Sequence, residues 1–140
     1  MKPRLLPLSS LIVASLFVLP GAWAHGPEQG REAVKVLQQQ LPSNAPGKKA
    51  IMLTVSYAPG QQSVAHRHPG AVMAYVLEGT VVSQLKSEQQ PTAYKAGEFW
   101  YEPPGAVHLV SRNGSETAPA KLLVWTLVDE QRPVTEPYKP

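Results

Sequence analysis

The chain has 140 residues, a formal net charge of +3 and no cysteine. That length holds one domain, the missing cysteines exclude a disulfide framework or thiol chemistry, and the modest charge excludes a nucleic-acid-binding surface built on a basic stripe. Ten glycines and fifteen prolines, spread between short apolar runs, predict many turns and many short strands.

Residues 1–24 carry Lys2 and Arg4, an apolar run from Leu5 to Leu19, Pro20-Gly21 and then Ala22-Trp23-Ala24. A basic start, an apolar middle and a small-x-small end form a signal peptide cleaved after Ala24. The run is too short and too interrupted, by Pro7, Ser9 and Ser10, for a membrane span. The expectation is therefore a periplasmic or secreted protein with no membrane span after cleavage. Without Lys2 and Arg4 the charge falls from +3 to +1. Cleavage would make His25 the new N-terminus, where amine and imidazole can chelate copper, but chance placement is the preferred reading.

Residues 25–49 are expected to form an N-terminal arm. Within it, Arg31 to Leu41 fits a helical stripe through Val34, Leu37 and Leu41 and an alternation through Val34 and Val36; the alternation is preferred. Leu41 to Lys49 is a loop. The strands expected next are Ala50 to Tyr57, with Ile51, Leu53, Val55 and Tyr57 on one face, and Val64 to His68. Val72 to Leu77 is almost wholly apolar and is expected to be buried on both faces. Glu78-Gly79 reads as a tight turn from which Thr80 to Leu85 returns. Glu98 to Glu102 and Val107 to Ser111 flank Pro103-Pro104-Gly105, and Lys121 to Val128 closes a barrel expected over 50–128. The Pro-rich remainder, 129–140, is expected to be a flexible tail. Short strands at this spacing predict an all-β antiparallel sandwich or barrel.

Three of the four histidines fall beside these turns: His66, His68 and His108. On a strand, residues i and i+2 share a face, so His66 and His68 can present adjacent imidazoles and His108 a third from another strand. Arg67, between them, is expected to point away. Three imidazole nitrogens form a donor set for a divalent transition metal. Imidazole accepts Zn, Cu, Fe and Ni alike; loading outside the cytoplasm favours Cu or Zn by intrinsic affinity. Phe99 and Tyr101 are expected on one face of their strand, Trp100 and Glu102 on the other. Met52, Met73, Tyr75, Phe99, Trp100, Tyr101 and Trp125 are expected mostly to fill the core.

The stretch from Gly60 through His66 and His68 to Tyr75-Val76-Leu77-Glu78-Gly79 resembles the first motif of the cupin superfamily. The stretch Gly97 to His108, with Pro103-Pro104-Gly105 inside it, resembles the second. The resemblance implies a double-stranded β-helix, or jelly roll, with His66, His68 and His108 as metal ligands and Fe, Mn or Ni among the candidate ions. It implies a small single-domain cupin like those likened to quercetin dioxygenases, acting on a small organic molecule, and a possible homodimer. The family also places a glutamate ligand in the first motif, with six residues between it and Gly79. This chain has Val72 there. Either the site keeps three protein ligands, or another carboxylate joins it, or it has lost metal. Glu102 is the candidate carboxylate, as ligand or as general base; a turn-end carboxylate bonded to backbone is the alternative. Glu98 and Glu78 are read as solvated and structural. The second motif also usually ends in an asparagine where this chain has Arg112, with Asn113 one step late. With the family glutamate missing, a non-enzymatic metal or ligand carrier of the periplasm competes with an oxygen-dependent enzyme.

Overall fold

The computed structural model describes residues 32–139. The expected signal peptide and His25 lie outside the described residues. Ten strands are assigned: β1 Ala33–Gln40, β2 Lys48–Tyr57, β3 His66–Arg67, β4 Ala71–Glu78, β5 Thr80–Leu85, β6 Thr92–Lys95, β7 Phe99–Glu102, β8 Val107–Asn113, β9 Ala120–Asp129 and β10 Glu136–Pro137. They form two five-stranded antiparallel sheets, ordered β1-β2-β9-β4-β7 and β10-β3-β8-β5-β6. The described residues are all-β, as expected, and the alternation preferred for Arg31 to Leu41 appears as β1 on the edge of the first sheet.

Inward-facing side chains of both sheets meet in one core that includes Ile51, Leu53, Tyr57, Val72, Val76, Val81, Trp100 and Leu122. Ile51, Leu53, Val55 and Tyr57 recur every second residue, which puts them on one side of β2, with Val55 only partly buried. Burial of this set is the main stabilising term for a fold with no disulfide.

Three expectations need correction. First, β5 does not return along β4. The two strands lie in different sheets, and β5 pairs with β6 and β8. Gly79 is a corner between sheets: its φ is +73°, and a Cβ there would meet the Pro119 carbonyl oxygen at 2.5 Å. Only glycine meets both demands without strain. Second, β4 is not buried on both faces. Val72, Ala74 and Val76 face the core, while Met73, Tyr75 and Leu77 face out. Third, the large side chains expected in the core are mostly outside it. Phe99 is 72% exposed, Met73 55% and Tyr101 53%; only Trp100 of that group is buried.

β6 was not anticipated. It carries a single large apolar residue, Tyr94, and pairs only with β5 at the end of its sheet, so hydrophobic alternation is weak there. The C-terminal segment, expected to be a loose tail, lies on β3: Glu136 pairs with Arg67 and Pro137 with His66. The two sheets thus extend beyond the 50–128 expected for the barrel.

Candidate metal centre

β3 and β8 pair so that His66 and His108 are cross-strand partners. Antiparallel partners project to the same side of a sheet, so both rings enter the space between the sheets. His68 follows β3 by one residue. Its backbone is tied on both sides, with its N–H donating to the Ala106 carbonyl at 3.1 Å and its carbonyl accepting from Gly105 N–H at 2.8 Å. The Pro103-Pro104-Gly105 turn therefore holds His68 in place as well as leading into His108. Arg67 points to solvent, as expected.

The three imidazoles offer nitrogens that all lie within 4.8 Å of one another. Backbone carbonyls orient two of the rings. His66 Nδ1 donates to the Val64 oxygen at 2.7 Å and His68 Nδ1 to the Val134 oxygen at 3.1 Å. In neutral rings this leaves Nε2 as a bare acceptor on each. Those two acceptors face each other at 3.1 Å. Two lone pairs at that distance repel unless a cation lies between them. Donors at about 2.1 Å from one ion are about 3.0 Å apart at a right angle and about 3.4 Å apart at the tetrahedral angle. The observed separation is an edge of such a polyhedron. The donor set therefore fits a divalent transition metal.

His108 is buried, with Nε2 at 2.8 Å from the Ser83 hydroxyl and Nδ1 at 3.3 Å from Glu102 Oε1. Burial pushes its pKa down to about 3, and the facing His66 and His68 add to the shift. Burial also lowers His66 and His68, so the cluster is neutral at pH 7 and ready to donate lone pairs.

Glu102 ends β7 and is 1% exposed. Trp100 shares its face, as the strand alternation predicts, and the indole N–H donates to Oε1 at 2.9 Å. Oε2 lies 3.6 Å from His68 Nε2 and has no hydrogen-bond partner among the described residues. It makes no backbone contact of the kind the turn-end alternative requires. Burial raises the Glu102 pKa, with the Trp100 hydrogen bond opposing. Glu98 accepts from the Lys95 N–H at 2.6 Å and Glu78 is exposed; both stand apart from the site. Asn113 is buried and donates to the carbonyls of Ala58 and Ala118, so the late asparagine is a structural clamp.

A pocket of about 490 Å³ opens onto the cluster. Val34, Val36, Leu53, Val72, Trp100, Leu122 and Val124 make its walls apolar. Tyr57 lines it too, its hydroxyl 2.8 Å from both Ser63 and Ser111. The lining also includes Glu32, whose Oε2 is buried, and Glu136, which is ion-paired with Arg132; no lysine or arginine lines the pocket among the described residues. Sequence reasoning missed Ser83, Val134 and the Tyr57 hydroxyl group. Ser83 was legible only as a polar residue among the valines and leucine of β5. Val134 acts through its carbonyl, which side-chain identity cannot reveal.

Residues 53–126 match the family model described as Cupin domain. The chain is a cupin. No curated protein matches it. Among solved structures, this cupin is similar to the DMSP lyase DddQ from Ruegeria pomeroyi, with 18% identity and a TM-score of 0.61 over 79% of this chain and 53% of that one. The cupin thus spans about half the length of that lyase. An uncharacterised conserved protein with a double-stranded β-helix domain from Klebsiella pneumoniae gives 20% identity and a TM-score of 0.61, covering 81% of this chain and 90% of its own. An RmlC-like cupin family protein from Methanocaldococcus jannaschii gives 18% and 0.55, covering 78% and 94%. At these identities the likeness is one of fold, and it is the double-stranded β-helix expected.

Proposed function

We propose that this cupin binds one divalent transition metal through His66, His68 and His108 and uses it to act on a small organic molecule held in the adjoining pocket, in an oxygen-dependent, dioxygenase-like reaction. The observation that carries the reading is the pair of oriented imidazole acceptors at 3.1 Å at the base of an apolar pocket. A bound ion there supplies Lewis acidity and, if redox-active, an electron route to dioxygen. Trp100 and the valines bury the apolar body of the ligand. Glu32 in the lining disfavours anionic ligands, whereas the charge of Glu136 is offset by its ion pair with Arg132, so the pocket suits a neutral or cationic ligand with an oxygen donor directed at the metal.

Oxygen uptake by metal-loaded protein across phenols, flavonols, diketones and thiols tests this, with DMSP added and assayed for cleavage because a structural neighbour is named as its lyase. Turnover of a neutral phenol or diketone supports the reading. Tight binding with no turnover of any compound overturns it in favour of the carrier reading, which the absence of a carboxylate at position 72 favours. Export rests on residues 1–24: intact mass of protein from the periplasm should begin at His25, and a retained Met1 would count against it.

An apolar stretch on the outer face of the first sheet supports pairing with a second copy. Met52, Trp125, Met73 and Tyr101 form one row across four strands, and Leu123, Tyr75 and Phe99 a second. At about half exposure these side chains offer on the order of 600 Å², approaching the roughly 800 Å² per partner of a standard interface. Sedimentation should give a dimer for the wild type and a monomer for Phe99→Glu; a wild-type monomer at tens of micromolar rejects the pairing.

A further inference from the structure

We propose that Glu102 is the carboxylate ligand of this metal centre, relocated from β4 to β7 across the Val72–Glu102 strand pair. The inference rests on the metal reading above and adds to it a fourth protein ligand.

Val72, at the position where the first motif has its glutamate, is buried and faces the same pocket as the histidines. β4 and β7 are antiparallel neighbours, and the residue directly opposite Val72 is Glu102. Cross-strand partners have Cβ atoms about 5 Å apart on the same face of the sheet. A glutamate can span that offset, so a carboxylate rooted on β7 can serve the space that one rooted on β4 would serve. Val72 then fills the vacated volume with apolar bulk.

Glu102 lies beside two of the histidines but outside their mutually close set of donors, so ligation requires its carboxylate to turn towards the ion. Its two oxygens lie 3.3 Å from His108 Nδ1 and 3.6 Å from His68 Nε2. Oε1 is held by the Trp100 indole, which fixes the carboxylate plane and leaves Oε2 free. A buried carboxylate oxygen with no donor is costly unless a cation faces it. No lysine or arginine lines the pocket among the described residues. A divalent ion held by the three histidines is the counter-charge that fits. The rival is a protonated Glu102 that donates to His68 and never meets metal.

The test uses full-length mature protein, Zn²⁺ affinity by chelator competition, and the d–d spectrum of the Co²⁺ form, whose intensity reports coordination number. Glu102→Gln keeps shape and the Trp100 contact but removes the charge. The expected result is a loss of Zn²⁺ affinity of at least about 10-fold, the lower end for groups that tune a site from outside it, with a changed Co²⁺ spectrum. The double variant Val72→Glu, Glu102→Ala returns the carboxylate to β4 and should recover the wild-type spectrum. Unchanged affinity and spectrum in Glu102→Gln, with His66→Ala still abolishing binding, overturns the proposal and leaves the three-histidine site standing. A double variant that stays with the Glu102→Gln spectrum also overturns it. Absence of stoichiometric Zn²⁺ binding by the wild type overturns both readings together.

Discussion

Zinc should raise the melting temperature of the wild-type protein by on the order of 10 °C at a hundredfold excess over Kd, and His66→Ala should erase that rise. A ligand bound only by the native state stabilises it by about 2.7 kcal/mol at that excess, and each kcal/mol moves the midpoint of a domain of this size by about 4 °C or more. His66 is the informative position. Its ring is half-buried, whereas His108 sits deep beside Ser83, so removing His66 leaves the smaller cavity. The same substitution should not destabilise the metal-free protein by more than about 1 kcal/mol. There it removes one of two acceptors that confront each other at 3.1 Å, offsetting the lost packing. Differential scanning fluorimetry with and without Zn²⁺ gives both numbers. A zinc-induced rise in His66→Ala equal to that of the wild type would remove the histidine cluster as the binding site.

The parts of this molecule legible in the sequence are those where a short-range rule decides the outcome. His66 and His68 had to share a face because a strand repeats every two residues, and His108 joined them because two spaced motifs fixed its register. Trp100 and Glu102 were placed together by the same alternation. What could not be read depends on which strand lies beside which. Gly79 looks like a hairpin turn locally, yet its strands part into opposite sheets. Met73 and Tyr75 look like core because they are apolar, but only one face of β4 can meet the interior. The Val72–Glu102 adjacency is of this second kind: thirty residues separate the pair in the chain, and only sheet order makes them neighbours. The C-terminal segment is another. Its prolines suggest a loose end, while the β3 edge offers it partners that no local pattern reveals.

The metal-free protein should lose stability steeply as pH falls below 6.5, and the loss should belong largely to the histidine cluster. In the unfolded chain an imidazole titrates near 6.5; in the folded one burial holds His108 near 3. Between those values the unfolded state binds a proton that the native state does not, so His108 costs nothing above pH 6.5 and destabilises progressively towards pH 3. Three and a half pH units correspond to on the order of 5 kcal/mol at the low end. His66 and His68 are shifted in the same direction by the same cause. Glu102 works the other way: its carboxyl is raised by burial, so its contribution is full below pH 4.5 and fades as pH rises through its folded value. It therefore blunts the acid loss without reversing it. Urea unfolding of apoprotein from pH 7.5 to pH 4 should show a falling midpoint at constant m, and His108→Gln, which cannot take up a proton, should show a shallower fall. Bound zinc adds a second handle, because protons must displace it before the imidazoles can charge; the zinc form should keep its midpoint to lower pH than the apoprotein. If the wild type and His108→Gln lose stability in parallel, the buried imidazole is not what acid attacks, and ordinary surface carboxylates carry the effect instead.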